Sequence, residues 1–268
     1  MASVLLSLYR LTRRTAIPRN ATPVTMEEDF LASLPDVDKF WSRFPQKPDL
    51  SGKKVLDLGC GVGAMVFHMA QCGASRVVGL DILEHYIEFN RQRLAREFPR
   101  FAGVIDFRCQ YLESLAEGDF DIILSKDSFE HILGLEDHLR EMEKRLRPDG
   151  RIYVAFAPLW RSIRGDHGRT RTRLPWGHVI FPERVILQGL REVYPDRTLN
   201  SIADLGLNKV GLRELKAMLR RTGLRFAHLR VNAGGRRGLR VYNLGRLIPG
   251  LAEYFTHNVY AIIEKAPK

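Results

Sequence analysis

Between residues 54 and 157 the chain alternates short apolar runs with longer stretches in which apolar residues recur at helical spacing. Residues 54–58, 76–80, 104–109, 120–125 and 151–157 are β-rich and bounded by turn formers, so each reads as a strand. The residues leading to Ala70, then 84–98 and 138–146, read as helices. In the second of these Ile87, Leu94 and Phe98 share one face, while Tyr86 and Phe89 lie off it. Pro148-Asp149-Gly150 reads as the turn into the fifth strand. Strand and helix in regular alternation predict a mainly parallel sheet covered on both faces.

The flanks follow other rules. Residues 26–50 read as one or two short helices, with an acidic start at Glu27 and Glu28 and an aromatic set, Phe30, Phe40, Trp41 and Phe44, suited to capping the sheet. After Pro158 the periodicity is lost. Residues 159–205, punctuated by Gly165, Gly168, Pro175, Gly177, Pro182 and Pro195, read as an insertion of loops and short helices. Residues 211–222 form a basic amphipathic helix with Leu212, Leu215 and Leu219 on one side. Strands at 225–231 and 258–264 close the chain across a glycine- and arginine-rich connection.

Composition narrows the class. With 268 residues, 45% apolar and 27% charged, the chain is a folded protein rather than a disordered tail or a membrane bundle. Cys60, Cys72 and Cys109 are an odd count without a C-x-x-C pair, which argues against a disulfide framework or a zinc ribbon and for a reducing compartment. The net charge of +11 is uneven: residues 1–150 carry 20 bases and 23 acids (net −3), residues 151–268 carry 22 and 8 (net +14). No apolar run approaches the roughly 20 residues of a membrane span, so a cytoplasmic protein is expected. Residues 1–20, with four Arg, four Ser or Thr and no acid, could alternatively be a mitochondrial transit peptide, or simply a loosely docked arm.

The chemistry concentrates in Val55-Leu56-Asp57-Leu58-Gly59-Cys60-Gly61-Val62-Gly63, a buried strand entering a turn with three glycines. Such a turn lets backbone approach a ligand, and the following helix offers its N-terminal N–H groups and positive dipole end. Asp81, ending the second strand, can accept from both hydroxyls of a ribose. The spacing of Gly59, Gly61 and Ala64 also satisfies a relaxed dinucleotide pattern, so glycine spacing alone leaves the cofactor open.

Asp57, two residues before the first glycine, together with Gly63, resembles motif I of the class I S-adenosylmethionine-dependent methyltransferases. Phe120-Asp121-Ile122-Ile123-Leu124-Ser125-Lys126-Asp127-Ser128-Phe129-Glu130-His131 is similar to the fourth-strand motif of that family, and Leu146-Arg147-Pro148-Asp149-Gly150-Arg151-Ile152 to its fifth-strand entry. The resemblance, nearest the ubiquinone and menaquinone methyltransferase group, covers about residues 50–160. It implies a Rossmann-like, doubly wound α/β fold: a mainly parallel seven-stranded sheet with a terminal antiparallel strand, an N-terminal arm and helical cap in residues 1–50, and a methyltransferase domain in 51–268 with an acceptor-site insertion at 159–205. It implies S-adenosyl-L-methionine as cofactor, held by Asp57, Gly59, Cys60, Gly61, Gly63, Asp81, Ile82 and Lys126. An acid that this family often has after its third strand is replaced here by Gln110 and Tyr111, which become the candidates for adenine.

Methyl transfer needs a nucleophile aligned with the C–S bond, and a base only where the acceptor must lose a proton. His131, beyond the fourth strand, and Asp166, His167 and His178 in the insertion are the candidates for that work, or for structural roles. No third ligand stands at sensible spacing to His167 and His178, so no metal is expected. Arg161, Arg164, Arg169, Arg171 and Arg173 could fork onto an anionic acceptor or form a solvated charge run. The expectation is methyl transfer to a small-molecule acceptor, anionic or lipid-like, with oxygen the favoured atom. The alternatives are an RNA or protein methyltransferase docking its polymer on the basic second half, peripheral contact with a membrane surface, and a noncatalytic cofactor-binding scaffold.

Overall fold

The computed structural model describes residues 2–14, 25–234 and 238–267. At its centre is one seven-stranded sheet: β1 (Lys54–Leu58), β2 (Arg76–Asp81), β3 (Ile105–Cys109), β4 (Phe120–Lys126), β5 (Leu146–Phe156), β6 (Leu224–Val231) and β7 (Val259–Lys265), in the spatial order β3-β2-β1-β4-β5-β7-β6. β1 to β5 pair in parallel, and β7 runs antiparallel to both β5 and β6, between which it lies. The strand order reverses between β1 and β4, and their carboxyl ends open the crevice where sheets of this kind take ligands.

Successive strand residues face opposite sides, and both sides are buried, which is why these strands read as continuous apolar runs. On one side Val55, Val77, Ile122, Leu124 and Tyr153 pack beneath α2 (Met26–Trp41), α3 (Ala64–Gln71) and α4 (Glu84–Glu97). On the other Leu56, Val78, Ile123, Ile152 and Val154 meet α5 (Leu135–Arg145) and α8 (Leu212–Arg221). The insertion has its own core, in which Phe181, Leu199 and Ile202 gather around α7 (Glu183–Arg191), preceded by the one-turn α6 (Gly177–Ile180). α9 (Gly238–Gly245) lies in the glycine- and arginine-rich connection.

Three expectations change. The loose N-terminal arm is instead a helix, α1 (Ala2–Thr12), with Leu6 and Tyr9 buried in the insertion core. The transit-peptide alternative spans residues of which 1 and 15–20 lie outside those described. Pro148-Asp149-Gly150 is not a free turn: Leu146 already pairs with Phe120, and the register shifts before Arg151 pairs with Ile122, so the segment belongs to a bulged strand. The charged helix before it starts at Leu135, three residues earlier than its charge pattern suggests.

α2 is set on the sheet by its ends and by one buried cation. Thr25 and Glu28 close a capping box, the Thr25 hydroxyl accepting from Glu28 N (3.1 Å) and the Glu28 carboxylate from Thr25 N (2.8 Å). Arg93 of α4, 3% exposed, stacks over Phe30 at 3.8 Å and pairs with Glu27 of α2 and with Glu97 (2.9 Å). Arg93→Met is therefore expected to remove about 2 kcal/mol of stability, seen in urea unfolding as a lower midpoint at unchanged slope. An unchanged midpoint would show that the aromatic packing alone secures the helix.

Candidate active site

The turn after β1 is held in shape from outside. Gly59, Gly61 and Gly63 all take the left-handed backbone conformation, at φ 72°, 49° and 79°. A Cβ on Gly59 would collide with Ser128 Oγ, and one on Gly63 would sit 2.5 Å from Asn90 Oδ1, so neither position tolerates a side chain. Leu80 O accepts from both Gly59 N and Cys60 N (2.9 Å each), the Asp81 carboxylate accepts from Gly61 N (2.9 Å) and Leu83 N (3.0 Å), and Asn90 Nδ2 donates to Gly61 O (2.7 Å). Gly63 caps α3 without a side-chain bond, leaving the first N–H groups of that helix open to a ligand.

Beside the turn lies a cavity of about 280 Å3. Asp57, Gly59, Cys60 and Gly61 form its floor, Tyr86 and Met65 one side, Lys126 and Asp127 the other, and Asp29, Ser33 and Val37 of α2 its roof. The spacing of 29, 33 and 37 places all three on one helical face, the signal by which sequence reasoning could have found them. A larger cleft of about 520 Å3 lies at the opposite, amino ends of the strands, around Lys53, Asp121 and Arg151, away from this turn.

The cavity is electrostatically loaded. Asp57 is 2% exposed, and burial first, then the neighbouring Asp81 carboxylate, push its carboxyl up to about 7 against the pull of Lys126. Burial opposes the Lys126 charge, yet Asp127, 2.7 Å away, keeps that ammonium above its usual value. Burial and the two aspartates raise the Cys60 thiol well above its ordinary range, so it stays protonated as an apolar wall. Asp81 lies beneath the turn rather than on the cavity lining, and its two oxygens retain lone pairs for a diol. Ile82 and Tyr111 are exposed at the ends of β2 and β3, and Gln110 N donates to Asp81 O (3.2 Å), so these three form an open shelf beyond the cavity.

The histidines divide. His131, four residues past Asp127, directs Nδ1 at Gly206 O (2.8 Å); a carbonyl only accepts, so Nδ1 carries the proton and Nε2 is left as acceptor. The His167 ring lies 5.0 Å from it. Burial, then His131 and Arg169, lower His167 to about 4, so it is neutral at pH 7. Glu130, buried beside them, is raised by burial to about 7, and its Oε2 has no partner among the described residues. One ligand atom each of Glu130, His131 and His167 lies within 4.8 Å of the others, a set able to hold a metal ion that sequence spacing did not suggest. His178 and Asp166 are elsewhere: both are buried in the insertion, with His178 Nε2 on Trp160 O (2.6 Å), its Nδ1 3.8 Å from Asp166, and Asp166 accepting from Thr170 Oγ1 (2.5 Å). They brace the loop, and none of His131, His167, His178 and Asp166 is on the cavity lining.

Four of the five insertion arginines are likewise used within the fold. Arg161 pairs with Glu214 (3.0 Å), Arg164 donates to Thr172 O and Arg173 O, Arg169 to Leu205 O and Gly206 O, and Arg171 to Arg14 O and Tyr194 OH. Of the five, Arg169 and Arg173 are exposed.

Residues 49–161 match the protein family described as Methyltransferase domain. The ubiquinone biosynthesis O-methyltransferase of Neisseria meningitidis is 34% identical over 110 residues, which are 40% of this chain and 45% of that protein. The chain thus spans less than half the length of this curated relative. A putative S-adenosylmethionine-dependent methyltransferase from Listeria monocytogenes superposes with a TM-score of 0.55 at 15% identity, covering 88% of this chain and 99% of that one. The magnesium protoporphyrin IX methyltransferase of Synechocystis, solved with bound SAH, gives 0.54 at 18%, covering 92% and 90%. At such identities the likeness to the solved structures is one of fold.

Asp57 carries a pH signature. Its folded value lies above its unfolded one, so the folded state holds a proton that the unfolded state has released, and stability falls as pH rises from about 4 to about 7. Asp57→Asn should therefore raise the melting temperature of the ligand-free protein at pH 8 by a few degrees while weakening S-adenosylmethionine binding, checked by calorimetry on the same samples. In the wild type that affinity should climb between pH 6 and 8 as the carboxylate forms, and the climb should vanish in the variant. Asp81→Ala should weaken the cofactor at every pH, since it removes a diol acceptor and frees Gly61 N together; calorimetric affinity equal to wild type would refute that role.

Proposed function

We propose that this chain, whose residues 49–161 form a class I S-adenosylmethionine-dependent methyltransferase domain, methylates a hydroxyl oxygen of a small, lipid-like phenol. The observation that carries the reading is the histidine pair: His131, with its tautomer fixed by Gly206, stands beside neutral His167 just past the cavity residue Asp127. A base of this kind is needed for an acceptor that must lose a proton, and a phenol is such an acceptor. The Neisseria relative, named as an O-methyltransferase, supports oxygen. The arginines committed to backbone carbonyls and to Glu214 favour a lipid-like acceptor over an anionic one.

The residues fit the cofactor. The unpaired N–H groups of α3, the buried Asp57 and the cationic Lys126 suit the amino-acid end, and Asp81 suits the ribose. At about 280 Å3 the cavity is just below the roughly 300–1,000 Å3 usual for ligand sites, so the adenine end would lie on the shelf of Ile82, Gln110 and Tyr111. When bound, S-adenosylmethionine supplies a methyl group on a positively charged sulfur. The protein's part is to orient the acceptor, which in a well-aligned pair is worth roughly 7–11 kcal/mol, and to receive its proton. His131 Nε2 takes that proton, and Glu130, ionising near pH 7 within the same cluster, stabilises the imidazolium. α2 and residues 159–205 enclose the acceptor.

The test supplies the full chain with methyl-labelled S-adenosylmethionine and, in separate reactions, a prenylated catechol, a short-chain benzoate, RNA and a lysine-rich peptide. Label is expected in the catechol as an aryl methyl ether. Label in RNA or peptide with none in the catechol would overturn the reading. His131→Ala should lower turnover of the catechol by about 10²–10⁴ with calorimetric cofactor affinity unchanged.

A further inference from the structure

The loop that carries His167 is held in a costly conformation by a helix from the far end of the sequence. His167 (φ 52°), Gly168 (φ 72°) and Arg171 (φ 58°) are all left-handed. Non-glycine residues keep such geometry only where their surroundings over-determine it. Residues 9–14 are those surroundings. Arg14 N donates to Arg171 O (2.8 Å) and Arg173 N to Thr12 O (2.9 Å), a two-rung bridge across the loop. Tyr9, with no exposed surface, donates its hydroxyl to Thr170 O (2.6 Å). Thr170 in turn donates N and Oγ1 to the carboxylate of Asp166, the residue before His167.

The seat for Tyr9 is built into α7. Its ring meets Phe181 edge-on at 5.3 Å and lies over Gly189, where any Cβ would collide with it. Glycine inside a helix is less stable than alanine, and here the ring accounts for it. Arg13 reaches Gly189 O and Glu192 (3.0 Å), and Arg10 reaches Glu192 (2.5 Å).

We propose that α1 is a strap that fixes His167 beside His131, with Tyr9 as the positioning residue and Gly189 as its seat. The importance of that pair for the acceptor rests on the function proposed above; the strap itself does not. Facing His167 are His131 from the turn after β4, His257 ahead of β7, and Asp166 and Arg169 from its own loop. If the strap lets go, the ring moves out of this enclosure and into water.

The experiment records the ring-to-ring cross-peak between His131 and His167 by NMR of histidine-labelled full-length protein at one fixed pH, with His167→Gln identifying the signals. In the wild type the two rings, 5.0 Å apart, should give the cross-peak. In Tyr9→Ala and in Gly189→Val it should be lost; Tyr9→Phe, which keeps the ring and loses the bond to Thr170, should weaken it and serves where the larger changes impair folding. S-Adenosylmethionine affinity by calorimetry should stay within twofold in all three. An unchanged cross-peak in Tyr9→Phe and Tyr9→Ala, or cofactor affinity falling in step with it, would overturn the strap. Turnover of the catechol, measured in parallel, separates the two ideas: a lost cross-peak with a tenfold loss of turnover supports both, and a lost cross-peak with full turnover keeps the strap and removes the histidine pair from the acceptor chemistry.

Discussion

A loop that meets its ligand through backbone has no side chains with which to hold itself, and residues 59–63 are such a loop. Apart from the turn bond from Gly63 N to Cys60 O, the groups that fix them are borrowed: Leu80 and Asp81 from β2, Asn90 from α4, Ser128 from beyond β4. The borrowing explains residues that otherwise look misplaced. Asn90 is fully buried because its amide must reach Gly61 O, and Arg93, one turn further along α4, is buried because the helix leans on the cap that roofs the same cavity. The sheet brings these lenders together at the point where its strand order reverses, so the topology of the core and the shape of the cofactor loop are one problem with one solution.

The positive charge has a similar history. A net excess confined to the second half suggests a surface made to meet a polyanion, but many of those cations already have partners within the fold. Arg221 pairs with Glu136 and Lys265 with Glu143, so part of the basic half compensates acids of the first. In the insertion, where regular secondary structure is scarce, guanidinium groups cap carbonyls that no helix or strand satisfies, a use of Arg for its fixed fork of donors rather than its charge.

What could be read from sequence was what local chemistry decides. The first four strands, the glycine turn with Asp57, and Asp81 at a strand end all declare themselves within a few residues, and the structure has each at the expected place in the chain. The acceptor side declares itself poorly because its pairings are distant. Asp166 and His167 look like a dyad by adjacency, yet Asp166 turns to Thr170 and His178 while His167 turns to His131. The apolar stripe of α4 is misleading for the same reason, since two of its buried positions are the polar Asn90 and Arg93. Residues 2–12, too short to announce a fold by periodicity, find their place only because α7 offers a notch.

That docking also sets an order of events when the chain is made. Tyr9 must wait for Thr170, 161 residues later, and Arg10 for Glu192, 182 residues later. At a synthesis rate of about 5–20 residues per second the interval is roughly 10–40 s. β1 to β5 emerge within it, whereas the first helix, with Leu6 and Tyr9 unpaired, has nothing native to bury them against. Until the insertion is complete Leu6 and Tyr9 stand in water, and a chaperone that holds exposed apolar segments would find a binding site there.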